Sequence, residues 1–323
     1  MTYYNKDLLE ELDIKPEVPD SWEGFMELGQ EIYEKSDGTK YGLLIGMQAG
    51  WLISDVTLQM AKALTPKTER DWTTGEFNFA TEGVIETAEF YKTMLDNNVM
   101  SIQSLELGAQ DVYTQFANGH SAFMFAGNYV GAQLKERGLE DFGVAKLPTK
   151  NGEGIQYGEK ATPEMIAVSK YTDNWEEVKI FINYLIDHMY DYIVESGTSA
   201  PALKLEHVGT TESKLAQFNE IAEIMNEVMV VAPNPAQINP DTIKVNQEHG
   251  EMAPKEGLDT IINGYLTGQI KDLGGTLQEL TDANNKALMD AIEQSEGKVS
   301  IEDYMYKNWV PGQNYVKEDY QSR

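Results

Sequence analysis

Two hydrophobic spacings alternate along the chain. Over most of it, apolar side chains return every three or four residues, which is the period of a helix with one buried face. Short runs such as YGLL and SAFMFAG are instead almost continuously apolar, as expected of buried strands. Helices are predicted at residues 6–12, 52–64, 81–97, 109–117, 174–195, 213–229, 255–266 and 276–294, and strands at 41–45, 121–126, 142–148 and 164–170.

Helix-start signals support several of these boundaries. Asp20 or Ser21 precedes a further amphipathic helix, and Glu23 stands at the capping-box position relative to Asp20. Asp173 and Glu176 have the same spacing before the long helix. Strands that alternate with helices predict an α/β fold with a largely parallel sheet, with the helices of the last third packed on its faces.

Composition and net charge argue against several classes of function. The chain has 323 residues, of which 41% are hydrophobic, enough for a buried core and about two domains. Its net charge is −28, from 25 basic and 53 acidic residues. Such a chain is not expected to bind nucleic acid or an anionic membrane surface directly. Its longest apolar runs are also too short to insert into a bilayer.

The residue types that bind metals or attack substrates are scarce. There is no cysteine, so disulfides, thiolate nucleophiles and zinc–thiolate sites are excluded. The four histidines lie far apart, without the spacing of metal ligands. We therefore expect no metal and no cofactor. The first residues show no signal peptide, because no charged stretch is followed by an apolar one and a cleavage site.

Candidate binding chemistry follows two of the predicted strands. Gln48, Gly50 and Trp51 come after strand 41–45, while Gly127, Asn128 and Tyr129 follow strand 121–126. Ligands of open α/β sheets bind beyond the carboxyl ends of the strands. An aromatic ring covers the apolar face of a sugar, and amides and carboxylates bind its hydroxyls. The alternative is that Trp51 and Tyr129 are ordinary core aromatics.

Catalytic signatures are missing from the sequence. Acidic residues are abundant, but no local motif marks the acid and base pair of a glycosidase. The segment GEGIQYG lacks the lysine and serine of a phosphate-binding loop, and no G-x-S-x-G elbow occurs. A glycan-acting hydrolase therefore stays open only as an alternative to a binding protein.

Five segments resemble one protein family. The opening YYNKDLLEELDIKPEVPDSWEGF is similar to the hallmark of extracellular solute-binding proteins of the sugar ABC-transporter type, the group that includes maltose-binding protein. Four further segments resemble the same family in the same order: FANGHSAFMFAGNY, DFGVAKLPTKNGEG, EMIAVSKYTDNWEEVKIFINYLI and GTSAPALK. The order and spacing of the segments carry the resemblance, which reaches up to the aromatic tail.

The resemblance implies a type II periplasmic-binding-protein-like α/β fold with a complete C-terminal lobe and a partial N-terminal lobe. Residues 1–160 would be the first part of the C-terminal lobe, 161–206 an N-terminal-lobe return segment, and 207–323 the second part with the tail. The sequence departs from the family at Gly24, where an acidic residue is usual. It also lacks the lobe segment and the leader or lipoprotein cysteine that come first in the family, so the chain is expected to begin at the first hinge crossing.

The resemblance also implies a function. Two lobes would close on an oligosaccharide and deliver it to an ABC transporter permease, outside the cytoplasm, without catalysis. The ligand-binding residues carried over by position are Gln48, Trp51, Asp55, Gly127, Asn128, Tyr129, Tyr157, Glu159 and Lys255. A third hypothesis is that the chain is a lobe without its partner lobe and acts as an interaction module, associating with other proteins through exposed apolar surface. The aromatic tail is expected to pack as a strap rather than to edge the cleft.

Overall fold

The computed structural model describes residues 1–160, 167–199 and 212–322. Its strands are β1 (Thr2–Asn5), β2 (Tyr41–Leu44), β3 (Glu69–Asp71), β4 (Glu76–Asn78), β5 (Ser121–Phe125), β6 (Phe142–Ala145), β7 (Gly158–Lys160) and β8 (Met229–Val231). Its helices are α1 (Lys6–Glu11), α2 (Trp22–Lys35), α3 (Gly50–Leu64), α4 (Glu82–Asp96), α5 (Ala109–Ala117), α6 (Val130–Glu136), α7 (Trp175–Ser196), α8 (Phe218–Val228), α9 (Thr242–Met252), α10 (Leu258–Leu266) and α11 (Leu273–Gln294).

The main sheet has four strands in the order β2-β5-β1-β6 and is mixed. β2 runs parallel to β5, whereas β1 is antiparallel to both of its neighbours and pairs Tyr3 with Met124 and Val144. The predicted largely parallel sheet is therefore wrong. An apolar pattern marks a strand but not its direction, which depends on how the connecting segments return the chain to the sheet.

Helices cover both faces of this sheet. Phe123 and Phe125 of β5 belong to a core cluster with residues of α2, α3, α4, α10 and α11. The intervening Met124 points to the other face, where it packs with residues of α5, α6 and α8. Side chains alternate in this way because successive residues of a strand face opposite sides. The continuous apolar run in the sequence correctly indicated a strand that is buried on both faces.

Helix caps differ in detail from the predicted capping boxes. The Ser21 hydroxyl accepts from the backbone N–H of Gly24 at 3.2 Å and caps α2. The helix α7 begins after Asn174 without a side-chain cap. Neither predicted box forms, because Ser21 itself occupies the capping position of α2 and Asp173 lies one residue before that of α7.

Two smaller sheets lie outside the main one. β3 and β4 form an antiparallel hairpin, and β7 pairs in parallel with β8. The sequence pattern missed β8 because its three residues continue an apolar stretch that also suits a helix. Of the strand predicted at 164–170, residues 164–166 lie outside the described residues, and 167–170 form no strand. Part of the GTSAPALK segment also lies outside them, and the threefold division of the chain stays a prediction.

The aromatic tail packs as a strap, as predicted. Tyr306, Trp309 and Tyr315 are buried in one cluster with Trp72. The backbone N–H of Tyr315 donates to the carbonyl of Val231 at 2.8 Å, so the tail holds β8 in place. None of the helices within residues 1–160, 167–199 and 212–322 combines the length and the apolar character needed to cross a bilayer.

The helix α7 carries seven of the large apolar side chains that are exposed in the described part of the chain. Its exposed side chains are Trp175, Ile180, Phe181, Tyr184, Ile186, Met189 and Tyr192. Exposed apolar side chains favour association with other surfaces. This feature fits the expectation that the chain can act through exposed apolar surface.

Replacing Phe181 and Tyr184 by Glu is expected to lower the binding of a hydrophobic dye, measured by fluorescence. It is also expected to lower the concentration-dependent association of the protein, measured by light scattering. Because these side chains are 59% and 61% exposed, their loss should leave the free energy of unfolding within about 0.5 kcal/mol of the wild-type value. Ile243→Glu, at an exposed position of α9, is the matched control. A large loss of stability in the double variant would show that this face of α7 is packed.

Candidate functional site

The first candidate site lies where β2 and β5 end. Trp51 stands in the first turn of α3, shortly after β2, and Tyr129 follows β5 directly before α6. Their ring centroids are 6.2 Å apart, with 41° between the ring planes. Trp51 is 50% exposed and Tyr129 is partly buried. The structure thus places the two rings side by side at one edge of the sheet, with the indole open to solvent.

Neighbouring groups position the ring of Tyr129. Its hydroxyl lies 3.4 Å from the hydroxyl of buried Tyr113. A Cβ atom at position 127 would lie 2.5 Å from Cε1 of Tyr129, so the ring can occupy this place only because residue 127 is glycine. The carbonyl of Gly127 also accepts a hydrogen bond from the Tyr3 hydroxyl at 2.9 Å, which ties the loop to β1.

Three predicted polar residues stand close to Trp51 or Tyr129 along the chain. Gln48 is exposed, and its Nε2 donates to the carbonyl of Leu105 at 2.7 Å. Asn128 donates from Nδ2 to the hydroxyl of Ser199 at 3.4 Å. Asp55 is exposed four residues after Trp51 on α3, a spacing that places both side chains on one helix face.

The helix α10 brings a carboxylate to the same place. A Cβ atom at position 50 would lie 2.2 Å from Oδ2 of Asp259, so the carboxylate fits against α3 beside Trp51 only because residue 50 is glycine. Sequence reasoning missed Asp259 and named Lys255 instead, which lies exposed in the loop before α10. A signal was present in Gly50, since a glycine in the first turn of a helix often marks a close approach.

Tyr157 and Glu159 are not brought to the ring pair. The Tyr157 side chain is 1% exposed, its hydroxyl donates to the carbonyl of Pro66, and Nζ of Lys62 lies 5.1 Å from its ring centroid. Lys62 stands eleven residues after Trp51 on α3, about 16 Å along the helix axis. The structure therefore does not bring this residue pair to the ring pair, and a ligand contact by either residue stays a prediction. Tyr157 fixes the chain entering β7 against the far end of α3.

Glu159 belongs to a buried ionic cluster at that far end. Its Oε2 accepts from Nε1 of Trp72 at 2.8 Å, while Lys62 forms a 2.9 Å salt bridge with Glu69. Burial raises the pKa of Glu159, and the nearby Lys62 and the Trp72 hydrogen bond oppose the rise. Burial also lowers the pKa of Arg70 to about 10. These groups hold the strand β7 to α3 and to the β3–β4 hairpin.

The groups near the ring pair can bind a ligand by stacking and by hydrogen bonding. They are the half-exposed indole, one phenol ring, two amides and two carboxylates. Within the described ranges, no group of three or more His, Asp or Glu side chains is arranged to hold a metal ion. The arrangement suits a ligand with an apolar face and a rim of hydroxyl groups.

The sequence pattern of the bacterial extracellular solute-binding proteins matches residues 1–191, more than half of the chain. The chain belongs to this family. Curated relatives include a binding protein of Brucella abortus strain 2308 and one of Brucella suis biovar 1, each 27% identical over 186 residues. The aligned part covers 57% of this chain and 43% of each relative, so the chain matches less than half of their length.

Solved structures of sugar-binding proteins share the fold. A Bacillus licheniformis sugar transporter in complex with stachyose matches with a TM-score of 0.59 and 18% identity, covering 90% of this chain and 71% of that one. MalE from Xanthomonas citri gives 0.61 and 18%, covering 92% and 70%. A chitin oligosaccharide binding protein gives 0.64 and 17%, covering 90% and 69%. The family member described here therefore has the type II periplasmic-binding-protein fold.

The raised pKa of Glu159 predicts how stability changes with pH. A raised pKa in the folded state adds stability that is present below the unfolded pKa of the group and is lost as pH rises through the folded pKa. The free energy of unfolding of the wild type, minus that of Glu159→Gln, is expected to increase as the pH falls from 7 to 4. Urea unfolding at four pH values measures this difference.

Glu153→Gln is the control for that measurement, because Glu153 is an exposed carboxylate in the loop before β7. A difference between the wild type and Glu159→Gln that stays constant with pH, or that shrinks on acidification, would contradict the assignment of a buried, charge-disfavouring environment to Glu159.

Proposed function

We propose that the protein binds a carbohydrate and that Trp51 and Tyr129 are the stacking surfaces of its site. The observation that carries the proposal is the ring geometry: two aromatic side chains 6.2 Å apart at a sheet edge, one of them half exposed. An isolated half-exposed tryptophan is common, but here a second aromatic ring lies next to it, at the ends of two paired strands. A pyranose ring presents a matching face of C–H groups.

The hydroxyl rim of the sugar would be bound by the polar groups around the rings. Gln48 and Asn128 can each donate and accept, and Asp55 can accept from two hydroxyls at once. Gly127 remains a predicted contact, and its lack of a side chain leaves room for the ring of Tyr129. Lys255 is the proposed outer contact, in the loop before α10. Tyr157 and Glu159 are assigned to the anchoring of β7 instead.

Binding would be coupled to closure of a second lobe over the ring pair. A ligand shifts an open–closed equilibrium only by the difference between its affinities for the two states. Sugar that touches groups on both sides of a cleft has that difference, because only the closed state offers both sets of contacts. The similarity to sugar-binding proteins of type II fold supports this mechanism, as does the position of the rings at an open edge.

The proposed role is delivery of an oligosaccharide to an ABC-type importer. Membership of the extracellular solute-binding family supports an extracytoplasmic location and a permease as partner. Turnover of the sugar is not part of the proposal. A chromogenic glycoside distinguishes the hydrolase alternative: sustained release of the chromophore, abolished by one Glu→Gln change, would favour an enzyme.

Calorimetry with maltose, raffinose, stachyose and chitin trisaccharide tests the binding proposal. At least one of these sugars is expected to bind, and Trp51→Ala should weaken that binding by about 2 kcal/mol, or about 30-fold, from lost stacking and apolar contact. Tyr129→Ala should act similarly, whereas Tyr129→Phe keeps the ring and should retain most of the affinity.

Trp175→Ala is the matched control, because this second exposed tryptophan lies on α7, away from the ring pair. Equal weakening by Trp175→Ala and Trp51→Ala would mean that the sugar binds elsewhere. Absence of binding to all four sugars, or unchanged affinity in Trp51→Ala, would count against the proposed function.

A further inference from the structure

The carboxylate of Asp259 lies against Gly50, the residue before Trp51. It lies in the first turn of α10 and is partly buried. Within the described part of the chain its carboxylate makes no hydrogen bond and no salt bridge. A carboxylate gains strongly from charge-assisted hydrogen bonds, so one placed in a partly desolvated position without donors is ready to receive them from a ligand.

The position of Asp259 is set by the packing of α10 on the β2–α3 connection. Leu258 and Ile262 are buried in the core and fix the rotation of the helix about its axis. Asn263, one turn after Asp259, donates from Nδ2 to the carbonyl of Met47 at 3.2 Å. The same helix face therefore directs Asn263 to the start of the connection and Asp259 to its end at Gly50, next to Trp51.

Gly50 admits the carboxylate. Any side chain at position 50 would begin with a Cβ atom 2.2 Å from Oδ2 of Asp259, well inside van der Waals contact. The glycine is in the first turn of α3, where it has no special backbone conformation to explain it. Close approach of Asp259 is thus the physical reason for glycine at this place.

We propose that Asp259 is a ligand-contacting and specificity-determining residue of the sugar site, which accepts hydrogen bonds from hydroxyls on the ring stacked against Trp51 and disfavours acidic sugars. The proposal rests on the proposed function and adds the class of sugar to it. The carboxylate of Asp259 lies against Gly50, the residue before Trp51. A uronic acid would bring a second negative charge against it.

On the phenol side of the site, the donors of Arg137 are already engaged. Arg137 lies with its guanidinium carbon 5.9 Å from the ring centroid of Tyr113, behind Tyr129. Its N–H groups donate to Gln110, Gln133 and Thr114. A carboxylate ligand at Trp51 would have to break those bonds to use this cation, while neutral hydroxyls need only the acceptors that Asp259 offers.

The experiment compares Asp259→Asn and Gly50→Ala with the wild type. The probes are the neutral sugar that binds best among raffinose, stachyose, maltose and chitin trisaccharide, and a trimer of galacturonic acid. Asp259→Asn should weaken the neutral sugar about tenfold, because an uncharged amide forms weaker bonds with hydroxyls than a carboxylate. Gly50→Ala should weaken it similarly, since the added methyl displaces a carboxylate that is still present.

The acidic trimer is expected to show no binding to the wild type and measurable binding to Asp259→Asn, more strongly at low salt than at high salt. Glu256→Gln is the control for a general charge effect, because it removes an exposed carboxylate of the adjoining loop without touching Gly50. Thermal unfolding of each variant checks that Asp259→Asn and Gly50→Ala remain folded. If one of them does not fold, the sugar affinity of the other variant still tests the proposal.

An affinity of Asp259→Asn for the neutral sugar within twofold of the wild type, with Trp51→Ala still impaired, would overturn the assignment of Asp259 and leave the sugar site standing. Equal effects of Glu256→Gln and Asp259→Asn would overturn it as well. Failure of all four neutral sugars to bind any form of the protein would instead overturn the proposed function, and the assignment of Asp259 with it.

Discussion

The parallel pairing of β2 with β5 is the constraint on which the candidate site depends. Leu43 pairs with Phe123 and Leu44 with Met124, so the two strands end at the same level of the sheet. The segments that follow must leave from the same edge, and each carries an aromatic residue within a few positions. A strand running in the opposite direction would have sent Trp51 and Tyr129 to opposite ends of the molecule.

The rest of the core keeps that edge in place. β1 is inserted between β5 and β6 and holds the Gly127 loop through the Tyr3 hydroxyl. On one face of the sheet, α3 and α10 pack together and deliver Asp259 to the start of α3. The candidate site is therefore assembled from three separate parts of the chain, while the hydrophobic core supplies the rigidity that fixed ring and carboxylate positions require.

The two ends of α3 have different environments. Its first turn carries the half-exposed indole of Trp51 and lies against Asp259 of α10. Its last turn buries Lys62 beside Tyr157, Glu69 and Glu159, where charges compensate one another and the strap of the tail excludes solvent from Trp72. One helix thus connects the candidate site with the chain that enters β7.

The amino-acid sequence by itself determined the type and order of most elements, the burial of β5 on both faces and the location of both rings after strand ends, because these follow from local periodicity and from glycine and aromatic positions. Only the tertiary structure decided the direction of β1, the burial of Tyr157 and the approach of Asp259 to Gly50. Those outcomes depend on contacts between distant segments, such as the bond from Asn263 to Met47 across 216 positions. Local patterns state which face of an element is apolar, but not which distant element covers it.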